Sequence, residues 1–333
     1  MGNVLDILKQ DAFSMVHMTE AINKLPFKPS RIGSMGLFKE QGITTTSILL
    51  EEQNGLLALL PTKRRGEPAT VGTAPKRTAR SLAVPHIPFD DVIRADDIQD
   101  IRAFGSSTEL QTVSSVVNAR LLNMRQNHEV TLEYHRIGAI KGNVLDADGV
   151  TTLYNLFTEF GVAETTIAFD LAVATTDIRE KCLAVHRAME AAIGSGTTYD
   201  RVHAFCGSTW FTRFIGHEYV RDAYHRWHDS ENLRNDPRKG FEFGGITFEE
   251  YRGRVSGVDF ISADEARFFP VGAPQLFTTY FAPADFVETV NTIGLPIYAK
   301  QEPLPMNRGV HIHTQSNPLC ICNRPGCLIK GVL

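Results

Sequence analysis

Apolar and polar positions follow different patterns along the chain, and each pattern predicts a different element. Within residues 108–140 apolar side chains recur every three or four positions, at Leu110, Val113, Val117, Leu121 and Met124. This spacing predicts a long amphipathic helix, for which Ser107 or Thr108 is the candidate N-cap. A β-branched run at 44–50 predicts a strand, and residues 55–60 its hairpin partner or continuation.

The following segment predicts a long β-arm. Residues 61–80 carry a net charge of +5 and one large aliphatic residue, Val71, so this segment cannot bury itself. A strand-like run at 82–89 then returns the chain and closes an arm from Thr44 to Asp90. Each limb could reach ~75 Å at ~3.3 Å per residue, whereas a compact chain of this length has a radius of gyration of about 20 Å. The arm is therefore expected to leave its own body.

An acidic stretch directly follows the arm. Residues 90–109 have a net charge of −4, which makes them an electrostatic match for the basic segment. We expect this basic segment to be a protein contact or a solvated loop rather than a nucleic-acid site, because no aromatic residues are interleaved with its charges. The predicted inter-subunit contacts are Lys63, Arg64, Arg65, Lys76, Arg77, Arg80, Asp90, Asp91, Asp96 and Asp97.

The rest of the chain predicts an α+β body. Within residues 1–43, the pieces Leu25-Pro-Phe-Lys-Pro29 and Gly33-Ser-Met-Gly36 place prolines and glycines close together, which is typical of an extended arm. Beyond the long helix the patterns predict hairpins at 141–157 and 241–251, strands at 166–173 and 202–206, a helix at 177–193, and one or two helices at 208–227. The remaining residues to Leu333 are strand-like and rich in proline.

Composition excludes several classes of protein. The 333 residues, 43% hydrophobic and 22% charged, are enough for about two globular domains. A net charge of −4 provides no global attraction to nucleic acid, so only weak, non-specific contact with DNA is expected. No stretch is apolar over the ~18 residues that a bilayer requires, and the N-terminus lacks a signal-peptide pattern. We therefore expect no membrane association, a cytoplasmic chain, and five free thiols.

Two motifs suggest chemistry, and each leaves an alternative function open. Cys206-Gly-Ser-Thr-Trp210, near His203, resembles the nucleophile region of papain-like proteases, but that family places its histidine ~130–150 residues downstream. A C-terminal group has zinc-ligand side chains without a zinc-knuckle spacing: His311, His313, Cys320, Cys322 and Cys327. We predict no catalytic residue, cofactor or metal, and retain a cysteine hydrolase and a zinc-binding DNA-packaging accessory protein as alternatives.

A family resemblance rests on motifs that occur in order along nearly the whole chain. They are the motif at 21–29 with Gly36-Leu-Phe38, Gly42-Ile-Thr-Thr-Thr46, Arg65-Gly-Glu-Pro68, Phe241-Glu-Phe-Gly-Gly-Ile-Thr-Phe248, and the motif at 282–296. With the order of elements, these motifs resemble the phage major capsid protein E family, the lambda-like coat proteins of tailed bacteriophages with the HK97-type fold.

The resemblance implies a domain organisation. Residues 1–43 would be the N-terminal arm, 44–90 the E-loop, and 91–154 the P domain with the spine helix. Residues 155–265 would be the A domain, and 266–333 would return to the P domain and form the C-terminal segment.

The resemblance also implies a function and partners. The chain would assemble with itself into hexamers and pentamers of an icosahedral shell around a double-stranded DNA genome. Scaffolding, decoration and portal proteins would be further partners, with assembly in the bacterial cytoplasm and a final location in the virion. Some capsids of this fold form a Lys–Asn isopeptide bond, but no such pair is identified here, so none is predicted.

Overall fold

The computed structural model of the protein describes residues 15–24, 30–53, 77–97, 113–194, 198–227, 238, 240–255 and 257–333. The chain divides into two compact units. The first contains the described residues within 1–47, 83–136 and 278–320. The second contains those within 48–82, 137–277 and 321–333.

Helices and strands are both numerous, so the fold is α+β. The helices are α1 Met15–Lys24, α2 Arg31–Met35, α3 Val113–Lys141, α4 Leu156–Phe160, α5 Ile178–Ile193, α6 Ser208–Gly216 and α7 Glu218–Trp227. The strands are β1 Lys39–Gly42, β2 Ser47–Gln53, β3 Arg77–Ala83, β4 Ile87–Arg94, β5 Asn143–Leu145, β6 Thr152–Asn155, β7 Thr165–Ala168, β8 Arg201–Cys206, β9 Phe241–Phe243, β10 Ile246–Glu250, β11 Arg254–Val255, β12 Val258–Asp259, β13 Glu265–Val271, β14 Phe277–Phe281, β15 Tyr298–Pro303, β16 Gly309–Ser316, β17 Pro318–Cys322 and β18 Ile329–Val332.

The first unit is organised around the antiparallel sheet β15-β16-β4. Because side chains alternate along a strand, Ile93, Ile312 and Ala299 all point to one face of this sheet. That face is buried against apolar side chains of α1 and α3, including Met18 and Leu121. The opposite, mainly polar face carries Asp90, His311, His313 and Lys300 at alternate positions, together with the exposed Val92. A second sheet has the order β1-β14-β17, in which β1 and β14 run parallel.

The second unit has a mixed six-stranded sheet of order β7-β18-β13-β8-β10-β9. Its core is aromatic, with Trp210 fully buried. The Trp210 ring lies 5.2 Å from the ring of Phe169 at 74°, and 5.2 Å from that of Phe214 at 17°. Edge-to-face and offset-stacked pairs of this kind add to the free energy of burial, so this cluster is the main apolar centre of the unit.

Most elements predicted from the pattern are confirmed. The long helix is α3, on which Val117, Leu121 and Met124 are buried. The helix at 177–193 is α5, and Asp177 caps its N-terminus by accepting from the Arg179 and Glu180 N–H groups. Both glycine-containing hairpins form as β5-β6 and β9-β10, and the two helices of 208–227 are α6 and α7. The strand at 202–206 is β8.

Three details differ from the prediction. The returning strand predicted at 82–89 is two strands in different sheets, because Pro85 lacks an N–H donor and separates β3 from β4. The described part of the N-terminal segment is helical in α1 and α2, where an extended arm was predicted. The strand predicted at 166–173 ends at Ala168, and Asp170 has a positive φ of 50°. Residues 55–60, 1–14 and 98–112 lie outside the described residues.

Candidate interaction surfaces

The two limbs of the predicted β-arm pair with each other, as β2 with β3. Lys63, Arg64, Arg65 and Lys76 lie outside the described residues, and Arg77 is the first residue of β3. The Arg80 guanidinium lies 5.3 Å from the ring centre of Phe160 and donates to the Glu159 carbonyl oxygen. Arg80 therefore contacts its own unit, through a cation–π contact and a hydrogen bond.

The structure places the predicted acidic residues on β4 and the 3₁₀ turn that follows it, Ala95–Asp97. Asp91 forms an ion pair of 3.5 Å with Arg120 of α3. Asp97 accepts a hydrogen bond of 2.8 Å from the Arg94 N–H, and Asp96 is exposed. These carboxylates therefore lie within one short stretch of the first unit, as the sequence order requires.

Asp90 lies beside two histidines of the neighbouring strand. Its Oδ1 atom is 2.5 Å from Nδ1 of His313 and 3.4 Å from Nε2 of His311. We call Asp90, His311 and His313 the His–Asp cluster. Its side chains are 56%, 35% and 26% exposed, respectively, on the polar face of the sheet. Nothing in the sequence order indicates that Asp90 lies opposite His313, because 223 positions separate the two residues.

A third group of contacts joins α3 to α1, α2 and β1 of the N-terminal segment, and the sequence analysis missed it. The Glu133 carboxylate accepts from Ser30 Oγ at 2.5 Å and from the Ile32 N–H at 2.9 Å. Arg136 donates to Glu40 at 2.6 Å, and Arg125 donates to the Ile22 carbonyl oxygen. Glu133 and Arg136 are almost fully buried. In the sequence, Glu133 and Arg136 appear only as charged residues on a predicted helix. Such residues normally indicate a solvent-exposed face.

These contacts border a cavity of about 820 Å³ in the first unit. Its lining is mainly apolar and includes Met15, Leu132, Phe281 and Ile297. Beside it, the segment 286–295 presents exposed aliphatic side chains, of which Val287 is 89% exposed. An exposed aliphatic cluster of this kind is typical of a protein-contact surface.

The cysteine hydrolase alternative finds no support at Cys206. The thiol is fully buried, and this burial raises its pKa well above the usual value. Its Sγ atom lies 3.8 Å from the Ala204 carbonyl oxygen. His203 contacts Glu249 instead, with 3.2 Å between Nε2 and Oε2. A buried thiol with a raised pKa is a poor nucleophile because the reactive form is the thiolate.

The C-terminal cysteines are buried free thiols. Cys320 lies 3.7 Å from the Thr279 hydroxyl oxygen, and burial raises its pKa to about 11. The Cys322 thiol contacts Cys327, and its pKa is raised, first by burial and then by that neighbour. Within the described residues no group of three or more His, Cys, Asp or Glu side chains has an arrangement that could hold a metal ion.

A buried ion network in the second unit also involves charges that the sequence analysis did not single out. Arg267 pairs with Glu164 at 2.6 Å and with Glu265 at 2.7 Å. Lys141, the last residue of α3, donates to the Phe260 carbonyl oxygen at 3.3 Å. Burial raises the pKa of Glu265, but the charges of Arg267 and Lys141 outweigh it and leave that pKa below its usual value. The network therefore fixes the C-terminal end of α3 within this unit.

Among the helices that the structure describes, none is both long enough and apolar enough to cross a membrane.

Comparison with known proteins gives matches over nearly the full chain. The family model described as phage major capsid protein E matches residues 14–333. The major capsid protein of Pseudomonas phage KPP10 is 31% identical over 342 residues, which cover 97% of this chain and 97% of that protein. The major capsid protein of Salmonella phage Felix O1 (isolate Felix O1-VT1) is 27% identical over 359 residues and 96% of each chain.

A solved structure shares the fold. The capsid structure of cyanophage P-SCSP1u matches with a TM-score of 0.52 and 12% identity, over 92% of this chain and 89% of that chain. At this identity the match shows the fold alone, which is the HK97-like capsid fold implied by the sequence resemblance.

Proposed function

The chain belongs to the phage major capsid protein E family, and from that membership we propose how its copies bind one another in the shell. As a member of this family it is a structural protein, the major capsid protein of a tailed bacteriophage, and it forms the capsid shell of the virion. The proposal is that the basic segment, residues 61–80, docks on the acidic residues 90–97 of a neighbouring copy. Each copy would then contribute its basic segment to a neighbouring copy and bind the basic segment of a neighbouring copy.

The observation that carries this proposal is the position of the acidic residues. Asp90 and Asp96 are exposed on the first unit, so their charges are accessible to a second chain. The basic segment has a net charge of +5 and cannot form a core of its own. Attraction between such segments is individually weak, and many repeated weak contacts allow a shell to correct errors during assembly.

The further assignments rest on family membership. In this proposal residues 1–43 are the N-terminal arm, 44–90 the E-loop, 91–154 the P domain, 155–265 the A domain, and 266–333 the return to the P domain. The copies form hexamers and pentamers, assembled in the bacterial cytoplasm with scaffolding, decoration and portal proteins as partners. Contact with the packaged DNA is weak and non-specific, because the net charge of −4 provides no overall attraction to phosphate.

The test is a charge reversal of the basic segment in the full-length protein. Changing Arg64, Arg65 and Arg77 to Glu is expected to block shell formation, measured by electron microscopy and by sedimentation of the expressed protein. The matched control changes three exposed arginines of the second unit, Arg179, Arg187 and Arg201, to Glu, with the same change in net charge.

A second variant tests the partner of the basic segment. Adding Asp96→Lys and Asp97→Lys to the triple reversal is expected to restore part of the assembly, because the attraction is then re-formed with its signs exchanged. Normal particles from the triple variant would refute the docking. Equal loss of assembly in the control would show that the effect arises from net charge rather than from this contact.

A further inference from the structure

The cavity of the first unit lies along helix α1. One face of this helix contributes to the lining, through Met15, Val16, Thr19, Glu20 and Asn23. The described lining residues all belong to the first unit, and several come from the segment 286–295. Its volume of about 820 Å³ is large beside the ~150 Å³ of an apolar cavity that holds one benzene molecule. The cavity therefore has room for several aliphatic side chains.

Aliphatic side chains around this cavity are left largely uncovered by the described part of the chain. Ile293, which lines the cavity, is 66% exposed, and Val290 of the same segment is 64% exposed. On the other side, Val16 of α1 lines the cavity and is 58% exposed. Exposed aliphatic side chains gathered around one apolar cavity indicate a surface that another segment covers.

The charges at the cavity disfavour an anionic ligand. Both arginines among the described lining residues are already paired with carboxylates that also line it. Arg125 lies 2.5 Å from Glu129, and Arg136 lies 2.6 Å from Glu40. Because the rest of the lining is mainly apolar, an occupant with an apolar surface fits this cavity best.

The residues that directly precede α1 carry such a surface. Residues 1–14 lie outside the described residues, and the family model begins only at residue 14. Five of their apolar side chains recur at a spacing that predicts one face of a helix: Met1, Val4, Leu5, Leu8 and Ala12. Asn3 and Gln10 fall on the opposite face of the same predicted helix.

This segment is long enough to reach the cavity. Leu8 precedes Met15 by seven positions, so at ~3.3 Å per residue the two can be up to ~23 Å apart. Helix α1 has 10 residues and is therefore ~15 Å long at ~1.5 Å per residue. Covalent attachment also gives the segment an effective concentration in the millimolar range at the cavity, above that of the same segment on a separate chain at micromolar concentration.

We propose that residues 1–14 cover the cavity and the exposed aliphatic side chains of segment 286–295 in the same copy, with Leu5 and Leu8 facing the cavity. The contact shields an apolar surface that unassembled copies would otherwise present to one another. It involves neither residues 61–80 nor residues 90–97, so it stands or falls independently of the proposed docking between copies.

The test is amide hydrogen exchange of the unassembled full-length protein, followed by mass spectrometry of peptides from residues 286–295. In the double variant Leu5→Asp with Leu8→Asp, exchange of this segment is expected to rise at least tenfold. The reason is that a contact which loses two buried leucine side chains loses more than a factor of ten in its equilibrium constant. The six-stranded sheet of the second unit is the internal reference, and its exchange should not change.

The matched control is Asn3→Asp with Gln10→Asp, which adds the same charge to the opposite face of the predicted helix. Its exchange in residues 286–295 is expected to equal that of the unmodified protein. Unchanged exchange in the double leucine variant overturns the proposal. An equal rise in both double variants also overturns it, because the effect would then arise from charge rather than from the apolar face.

A cysteine pair distinguishes a cover from the same copy from one supplied by a second copy. In Leu8→Cys with Ile293→Cys, oxidation by diamide is expected to form a disulfide within one chain, seen at monomer mobility on a non-reducing gel. The five native thiols are buried. Gln10→Cys with Ile293→Cys is the control and should form this disulfide far more slowly. Disulfide-linked dimers would assign the cover to a second copy, and dimers, equal rates in both pairs or no disulfide would each overturn the proposal.

Discussion

Replacement of Glu133 by Ala is expected to weaken the docking of α2, Arg31–Met35, on α3. The Glu133 side chain is 5% exposed and accepts two hydrogen bonds, from Ser30 Oγ and from the backbone N–H of Ile32. The change leaves the Ile32 N–H without its carboxylate partner in a buried position. Hydrogen bonds to charged groups contribute about 1.5–3 kcal/mol each, so a loss of about 3 kcal/mol in the docking of this segment is a conservative expectation.

This loss has a measurable consequence for opening of the segment. Because every 1.4 kcal/mol is a factor of ten, the population with residues 30–42 detached should rise roughly a hundredfold. Amide hydrogen exchange of the full-length protein, followed by mass spectrometry of peptides from this segment, reports that opening directly. The six-stranded sheet of the second unit provides an internal reference within the same sample.

The matched control is Gln126→Ala, an exposed position on the same helix. It changes a polar side chain to alanine without removing a partner from the N-terminal segment, so the exchange of residues 30–42 should not change. Glu133→Gln retains an acceptor oxygen and is expected to lie between alanine and the unmodified protein. Unchanged exchange in Glu133→Ala would refute the argument that this carboxylate holds the segment.

Two further predictions concern stability. Trp210→Ala removes a fully buried ring from the aromatic core and should lower the free energy of unfolding by about 3–5 kcal/mol, whereas Tyr219→Ala, at a side chain that is 49% exposed, should cost far less. Thermal and denaturant unfolding measure both, and equal losses would contradict the assigned core. Burial lowers the pKa of His128 in the folded chain to about 4. As the pH falls from about 6.5 to about 4, the unfolded chain therefore binds a proton that the folded chain does not, and the free energy of unfolding decreases. In the His128→Asn variant the free energy of unfolding should decrease by about 3 kcal/mol less over this pH range. An equal decrease in the variant and in the unmodified protein would contradict the burial of His128.

Local pattern was sufficient for most of the secondary structure, because helix and strand periodicities depend on which neighbouring residues share a face. The spacing of Val117, Leu121 and Met124 located α3, and the paired glycines 244 and 245, both with positive φ, located the hairpin β9-β10. The same reasoning predicted one returning strand at 82–89, whereas the chain forms β3 and β4 in different sheets. Pro85 is visible in the sequence, but the sheet that each half of this segment joins is not.

The sequence by itself also determined the family, through motifs that occur in order along the chain, and the opposite charges of residues 61–80 and 90–109. Only the tertiary structure decided which charged groups meet. Asp90 lies opposite His313 although 223 positions separate them, and Glu133 meets Ser30 across 103 positions. Periodicity describes neighbours within a segment, whereas such pairs depend on how distant segments pack, so their chemistry became visible only in the folded chain.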